Sequence, residues 1–146
     1  MMNTGMSGFD VSAVAVGDAL PGRTVEIDRE RVVAYAAASG DHNRIHWDEQ
    51  YARDVGLPGV IGHGLLTMAA AVAMVEDWAG SEAYVADYRT KFVGLVPVPH
   101  QGVAVVDVAG VVKSVDQETK TVVVELNVTH EGTKVLGNAR CTVCWK

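Results

Sequence analysis

Residues 39–48, SGDHNRIHWD, bring two histidines, two acids and an amide together directly after an apolar, helix-like stretch. An imidazole and a carboxylate in one pocket can handle two protons in a single reaction, one taken from carbon and one given to a departing oxygen. Asp41 and His46 would not share a face on a regular helix. An irregular loop over residues 40–47 can aim both at one point, with Asn43 placed to orient one of them.

The second group of residues is GVIGHGLL, residues 59–66, in which glycines lead straight into an apolar helix. A helix start offers unpaired backbone N–H groups and the positive end of the helix dipole, which suits a carbonyl oxygen gaining negative charge. Gly64 allows that backbone to approach a substrate closely. An acid, a base and an oxyanion donor are the parts needed to add or remove water beside a thioester carbonyl.

Other readings of these residues stay open at this point. Polar loops are often simply solvated. His42 and His46 have the i, i+4 spacing of a metal pair, with Asp41, Asp48 and His63 as further donors, although Gly40 and Asn43 argue against the continuous helix that pair needs. The glycines of residues 59–64 do not follow the order of a dinucleotide fingerprint.

The elements that must position these groups can be read from the pattern. Residues 23–27, RTVEI, alternate like a strand, and Asp28 is a plausible N-cap for a helix carrying Val32, Val33, Ala36 and Ala37 that stops at Gly40. A short helix is expected from the cap Asp48 to Gly56, and a long one over residues 65–79 that is apolar nearly all round and needs wrapping. From Tyr84 onward the period becomes two, with Tyr84, Ala86, Tyr88, Thr90 and Phe92 on one face, then alternating runs over residues 103–115, 121–129 and 134–145. DQETK and HEGT read as hairpin connections. One apolar helix and a curved antiparallel sheet make an α+β domain of hot-dog architecture, whose edge strands favour pairing with a second copy or a relative.

The totals agree. The chain has 146 residues, 49% hydrophobic and 21% charged, with a net charge of -6; that suits one folded domain and argues against a nucleic-acid partner. We expect a flexible N-terminus over residues 1–13 and the domain over 14–146. Met1 to Phe9 lacks the cationic start and apolar run of a signal peptide, and the longest apolar run falls short of the roughly 20 residues that span a bilayer. A cytoplasmic protein without membrane insertion is expected. Cys141 and Cys144 form a lone C-x-x-C in an alternating segment and read as strand residues, not zinc ligands.

GDHNRIHWD resembles the hydratase 2 motif of the MaoC-like hydratases and dehydratases, G-D-x-N-P-x-H-x-D, and VIGHGLLTM resembles that family's following A-H-G-[ML] segment. The likeness continues through VGDALP, KFVGLVPVP and VKSVD, and so covers nearly the whole chain. In particular the sequence is similar to the catalytic beta-type subunits of the (3R)-hydroxyacyl-ACP dehydratases of mycolic-acid fatty acid elongation.

The resemblance implies a hot-dog fold without metal or organic cofactor, and a dehydratase or enoyl hydratase acting on acyl-ACP or acyl-CoA. It implies Asp41 and His46 as the catalytic dyad, Asn43 as its support and the Gly64 N–H as oxyanion donor. It further implies a homodimer, or a heterodimer with a related subunit that lacks the dyad. Arg44 stands where the family usually has proline, and Gly62 where alanine is common. Arg44, Arg89 and Lys91 are the residues expected to meet a carrier, and the small residues 69–73 are a possible acyl channel, unless they only let the sheet pack close. A hot-dog thioesterase or a non-catalytic acyl-binding subunit are the rival expectations.

Overall fold

The computed structural model describes residues 9–146. Five strands, β1 (Arg23–Ile27), β2 (Ala83–Phe92), β3 (Ala104–Asp116), β4 (Thr121–His130) and β5 (Thr133–Trp145), form one antiparallel sheet in the order β1-β3-β4-β5-β2. Three helices accompany it: α1 (Arg29–Ser39), α2 (Glu49–Asp54) and α3 (Gly64–Ala79). This is the expected hot-dog arrangement.

Local chemistry explains the boundaries. Asp28 caps α1 by accepting the Arg31 N–H at 2.7 Å, and Gly40 ends it in the left-handed region at φ 78°, where a side chain would be strained. Asp48 caps α2 in the same way through the Tyr51 N–H. The β4–β5 turn uses Glu131 and Gly132, both at positive φ (49° and 77°), the conformation that matches the strands' twist in a two-residue hairpin.

The inward faces of β3, β4 and β5 supply a valine-rich core that includes Val106, Val112, Val124, Val128 and Val143. Against it α3 buries Leu66, Thr67, Ala71, Met74, Val75 and Ala79. The helix is covered on one face, not wrapped all round: Leu65 is 56% exposed and Ala69 is exposed beside half-buried Met68 and Val72. In α1 the inward pair is Val32 and Ala36, while Val33 and Ala37 face outward.

One expectation needs correction. The simple alternation of β2 is broken by register shifts between Val85 and Asp87 and between Arg89 and Lys91. An inserted residue flips the facing of all that follow, so Ala83, Val85 and Tyr88 pack on the core while Tyr84 and Ala86 are exposed. At the N-terminus, residues 1–8 of the expected arm lie outside the described residues, and Val11–Ala13 form a 3-10 turn that buries Val11. Val11 is 3% exposed, and Phe9 lies against Trp78 and Trp145, whose indole N–H it accepts at 3.0 Å.

Cys141 and Cys144 are free residues of β5; Cys141 is buried, which pushes its thiol up to about 12. Among the described residues no helix is long and apolar enough to cross a membrane.

Candidate active site

Between α1 and α2 the chain makes a ladder of side-chain-to-backbone turns. The Ser39 hydroxyl accepts the Asp41 N–H, Asp41 Oδ1 accepts the Asn43 N–H at 3.1 Å, and Asn43 Oδ1 accepts the Ile45 N–H at 3.2 Å. These short polar side chains offer the backbone an alternative to helix. The loop ends in a 3-10 turn, Arg44–His46, that points His46 inward, where it is 7% exposed.

The His46 ring is fixed by its Nδ1, 2.7 Å from the Ile61 carbonyl oxygen. A carbonyl can only accept, so Nδ1 carries the proton and donates. In the neutral ring Nε2 then keeps its lone pair, and it faces Asp41 Oδ2 at 3.9 Å. That gap is too long for a direct hydrogen bond, so both groups remain available to a molecule placed between them. Residues 60–62 hold the acceptor in place through an isolated bridge between Ile61 and Pro97 and a 2.8 Å bond from the Gly62 N–H to the Val96 carbonyl.

Sequence reasoning mentioned His63 only as a possible metal donor, yet it organises the site. It is 2% exposed, its ring stacks on His46 with centroids 3.7 Å apart and planes 21° apart, and the edge of Tyr35 closes its other side. Its Nε2 is 3.2 Å from the Asp41 carbonyl oxygen, which ties the two halves of the site, and its buried Nδ1 has no partner among the described residues. The signal available in sequence was a histidine at the N-cap of α3, a position it does not cap with its side chain.

Burial, and less so the nearby His46, push the His63 pKa below its ordinary 6.5, while the bond to Asp41 opposes this. The sign follows: the unfolded ring protonates first as pH falls, so the stability contributed by neutral His63 is present above 6.5 and is lost progressively below it. His63→Gln is expected to flatten the dependence of Tm on pH between about pH 7.5 and about pH 5.5. A variant with the wild-type slope would refute a buried neutral His63.

Asp41, His46 and His63 each place a donor atom within 4.8 Å of the others. The two rings lie nearly parallel, and each already gives one nitrogen to a carbonyl. The alternative His42–His46 pair is not assembled: His42 is exposed.

Gly64 is the first residue of α3 and lies beside the dyad on a cavity of about 370 Å³. Its N–H belongs to the first helical turn, where intrahelical acceptors are missing. A Cβ on Gly64 would come within 2.9 Å of the Phe92 ring, so glycine lets this backbone reach the cavity under that ring. Apart from His63 and Thr67, the remainder of the lining is apolar and includes Leu65, Phe92, Leu95, Val96 and Leu136.

The cavity therefore has a polar end holding the dyad and an apolar body. The small residues 69–73 do not line it; Ala71 is in the core.

The cations expected at a carrier lie outside the cavity lining. Arg44 donates to Asp48 at 2.7 Å and lies over the Tyr51 ring, Arg89 donates to Asp87 at 3.0 Å, and neither they nor Lys91 line the cavity. Asn43 spends its side-chain oxygen on the turn and does not touch His46 through it.

The sequence profile of the MaoC like domain family matches residues 12–132. Over 56 residues the chain is 41% identical to the 3-hydroxyacyl-thioester dehydratase X of Mycobacterium tuberculosis, covering 38% of this chain and 20% of that protein. The chain spans between 3% and 20% of the length of the first curated relatives it matches, which include the beta subunit of Saccharomyces cerevisiae fatty acid synthase. A solved MaoC-like dehydratase superposes with a TM-score of 0.88 at 33% identity, covering 95% of this chain and 43% of that one. A chain of the HadBC (3R-hydroxyacyl-ACP dehydratase) complex from Mycobacterium tuberculosis shares the fold with a TM-score of 0.69 at 19% identity, over 90% of this chain and 98% of its own.

Proposed function

This chain belongs to the MaoC-like family, and we propose that it is a hydro-lyase that removes water from (3R)-hydroxyacyl thioesters, or adds it to trans-2-enoyl thioesters, on acyl carrier protein or CoA. The observation that carries this reading is the facing of Asp41 Oδ2 and His46 Nε2 across 3.9 Å at the polar end of an apolar cavity, beside the first N–H groups of α3. In the dehydration direction the His46 Nε2 lone pair takes the C2 proton. Asp41 gives a proton to the departing C3 hydroxyl, directly or through a water, and the C2–C3 double bond forms. The proton on His46 then returns to Asp41, which restores both groups.

The Gly64 N–H holds the negative charge that develops on the thioester oxygen, and Asn43 supports the dyad by fixing the turn between its members. The apolar lining from Leu65, Leu95 and Leu136 receives the acyl chain. In this reading the reaction uses no metal or organic cofactor.

We further propose that the working unit is a pair of hot-dog domains, identical or related. The exposed outer face of α3 and the edge of β2, unpaired among the described residues, favour it. So does the solved MaoC-like dehydratase, of which this chain covers 43%, leaving space in that chain for a second domain of this size.

The test is hydration of crotonyl-CoA and of a longer trans-2-enoyl-CoA, following enoyl absorbance, free thiol and product chirality. Loss of absorbance without thiol, giving an (R)-3-hydroxy product, is the expected result. Release of thiol would mean a thioesterase, and tight acyl-CoA binding without turnover, even with a partner chain present, would mean a binding subunit.

A further inference from the structure

We propose that Arg44 is a positioning residue: its side chain clamps the turn that carries His46 onto the start of α2 and thereby sets the separation of His46 from Asp41. The inference rests on the reading of that pair given above. The turn's internal bonds, Asn43 N–H to Asp41 and Ile45 N–H to Asn43, shape it but cannot fix where it sits in the molecule, because each joins residues two apart.

Its position needs ties to other elements. On the inner side these are the His46 ring on the Ile61 carbonyl, the Ile61 N–H on the Ile45 carbonyl at 3.2 Å, and the His63 ring on the Asp41 carbonyl at 3.2 Å. On the outer side the tie is Arg44.

The Arg44 guanidinium donates to Asp48 Oδ2 from Nη2 at 2.7 Å and from Nε at 3.2 Å. The other carboxylate oxygen, Asp48 Oδ1, accepts the Tyr51 N–H at 3.1 Å, and the guanidinium carbon sits 4.3 Å from the centre of the Tyr51 ring. One arginine thus grips both the cap of α2 and a side chain of its first turn. The Asp48 N–H closes the loop on the Arg44 carbonyl at 2.8 Å.

A guanidinium suits this task because it is planar, always charged, and can stack and donate at once. An exposed ion pair contributes little to overall stability. Its consequence is local, in the geometry of a pair whose members must meet a substrate within fractions of an ångström. Arg44 does not line the cavity, so it acts through His46 and not on substrate.

The backbone provides a sharp test. Asn43 has φ -56° and ψ 128°, the conformation of a residue preceding proline, and Arg44 opens a 3-10 turn with its own N–H unused by any acceptor among the described residues. Proline at 44 would therefore stiffen the turn without any clamp.

Arg44→Ala is expected to lower kcat for crotonyl-CoA about tenfold with KM changed less than about twofold, and Arg44→Pro to recover kcat to within about threefold of wild type. Amides of residues 43 and 45–48 should exchange faster with deuterium in Arg44→Ala and return toward the wild-type rate in Arg44→Pro. Unchanged kcat in Arg44→Ala, a proline variant as slow as the alanine one, or a rise in KM alone would overturn the proposal. The last of these would instead make Arg44 a carrier contact. If the wild type itself turns nothing over, the proposed reaction fails, and the exchange rates still decide the clamp: wild-type rates in Arg44→Ala would refute it.

Discussion

Asp41→Asn and His46→Ala are each expected to lower kcat for enoyl-CoA hydration by about a hundredfold to ten-thousandfold, the range that a positioned general acid or base contributes. The two defects should not add. In the proposed reaction the groups pass a proton between them, so the double variant should be hardly slower than the worse single one.

The stability effects of these variants should differ. Asp41 has a side chain 47% exposed, and its replacement by asparagine keeps an oxygen to accept the Asn43 N–H, so Tm should be nearly unchanged. His46 is buried between His63 and the Ile61 carbonyl; its loss leaves that carbonyl without its ring donor and a gap beside the stacked imidazole. A cost of about 1–3 kcal/mol is expected from such an orphaned group, so activity must be measured below the variant's own Tm. Steady-state kinetics with denaturation curves on all three variants checks this. Full activity in Asp41→Asn or in folded His46→Ala would remove the dyad from the reaction.

The Gly64 N–H can be deleted without unmaking the helix. Gly64 is the first residue of α3, and His63 before it has φ -64° and ψ 134°, both compatible with proline at the first helical position. Gly64→Pro removes the donor, and Gly64→Ala adds a Cβ while keeping it.

Either Cβ meets the Phe92 ring, which is 55% exposed and has room to turn aside. The alanine variant therefore measures the steric cost alone. The proline variant is expected to lose a further hundredfold to thousandfold in kcat, roughly the cost of one oxyanion donor. Equal rates in the two variants would show that no charge develops against this N–H, and a proline variant that does not fold would be recognised by circular dichroism before kinetics.

How much was legible in the sequence depended on the range of the forces involved. The caps Asp28 and Asp48, the stop at Gly40, the HEGT hairpin and the valine alternation of β3 to β5 were readable, because each reflects a contact between near neighbours or a fixed period. The phase of β2 was not. A bulge is set by how an edge strand curves over its neighbour, and the same residues alternate equally well in either phase.

The site divides in the same way. Asp41, His46 and Gly64 were identifiable by residue type and spacing, and the structure brings all three to one cavity. The stacking of His63 on His46 and the apolar lining from Phe92 and Leu136 were not identifiable. They join residues separated by up to the length of the domain.

By itself, then, the sequence determined the candidate reacting groups and the local turns that expose them, since side-chain chemistry and short-range hydrogen bonds travel with the chain. Only the tertiary structure decided the 3.9 Å between Asp41 and His46, the free nitrogen of His46 and the shape of the cavity. Each of these depends on where the Ile61 carbonyl, α3 and β2 come to rest against a common core, and that is settled by packing across the whole fold.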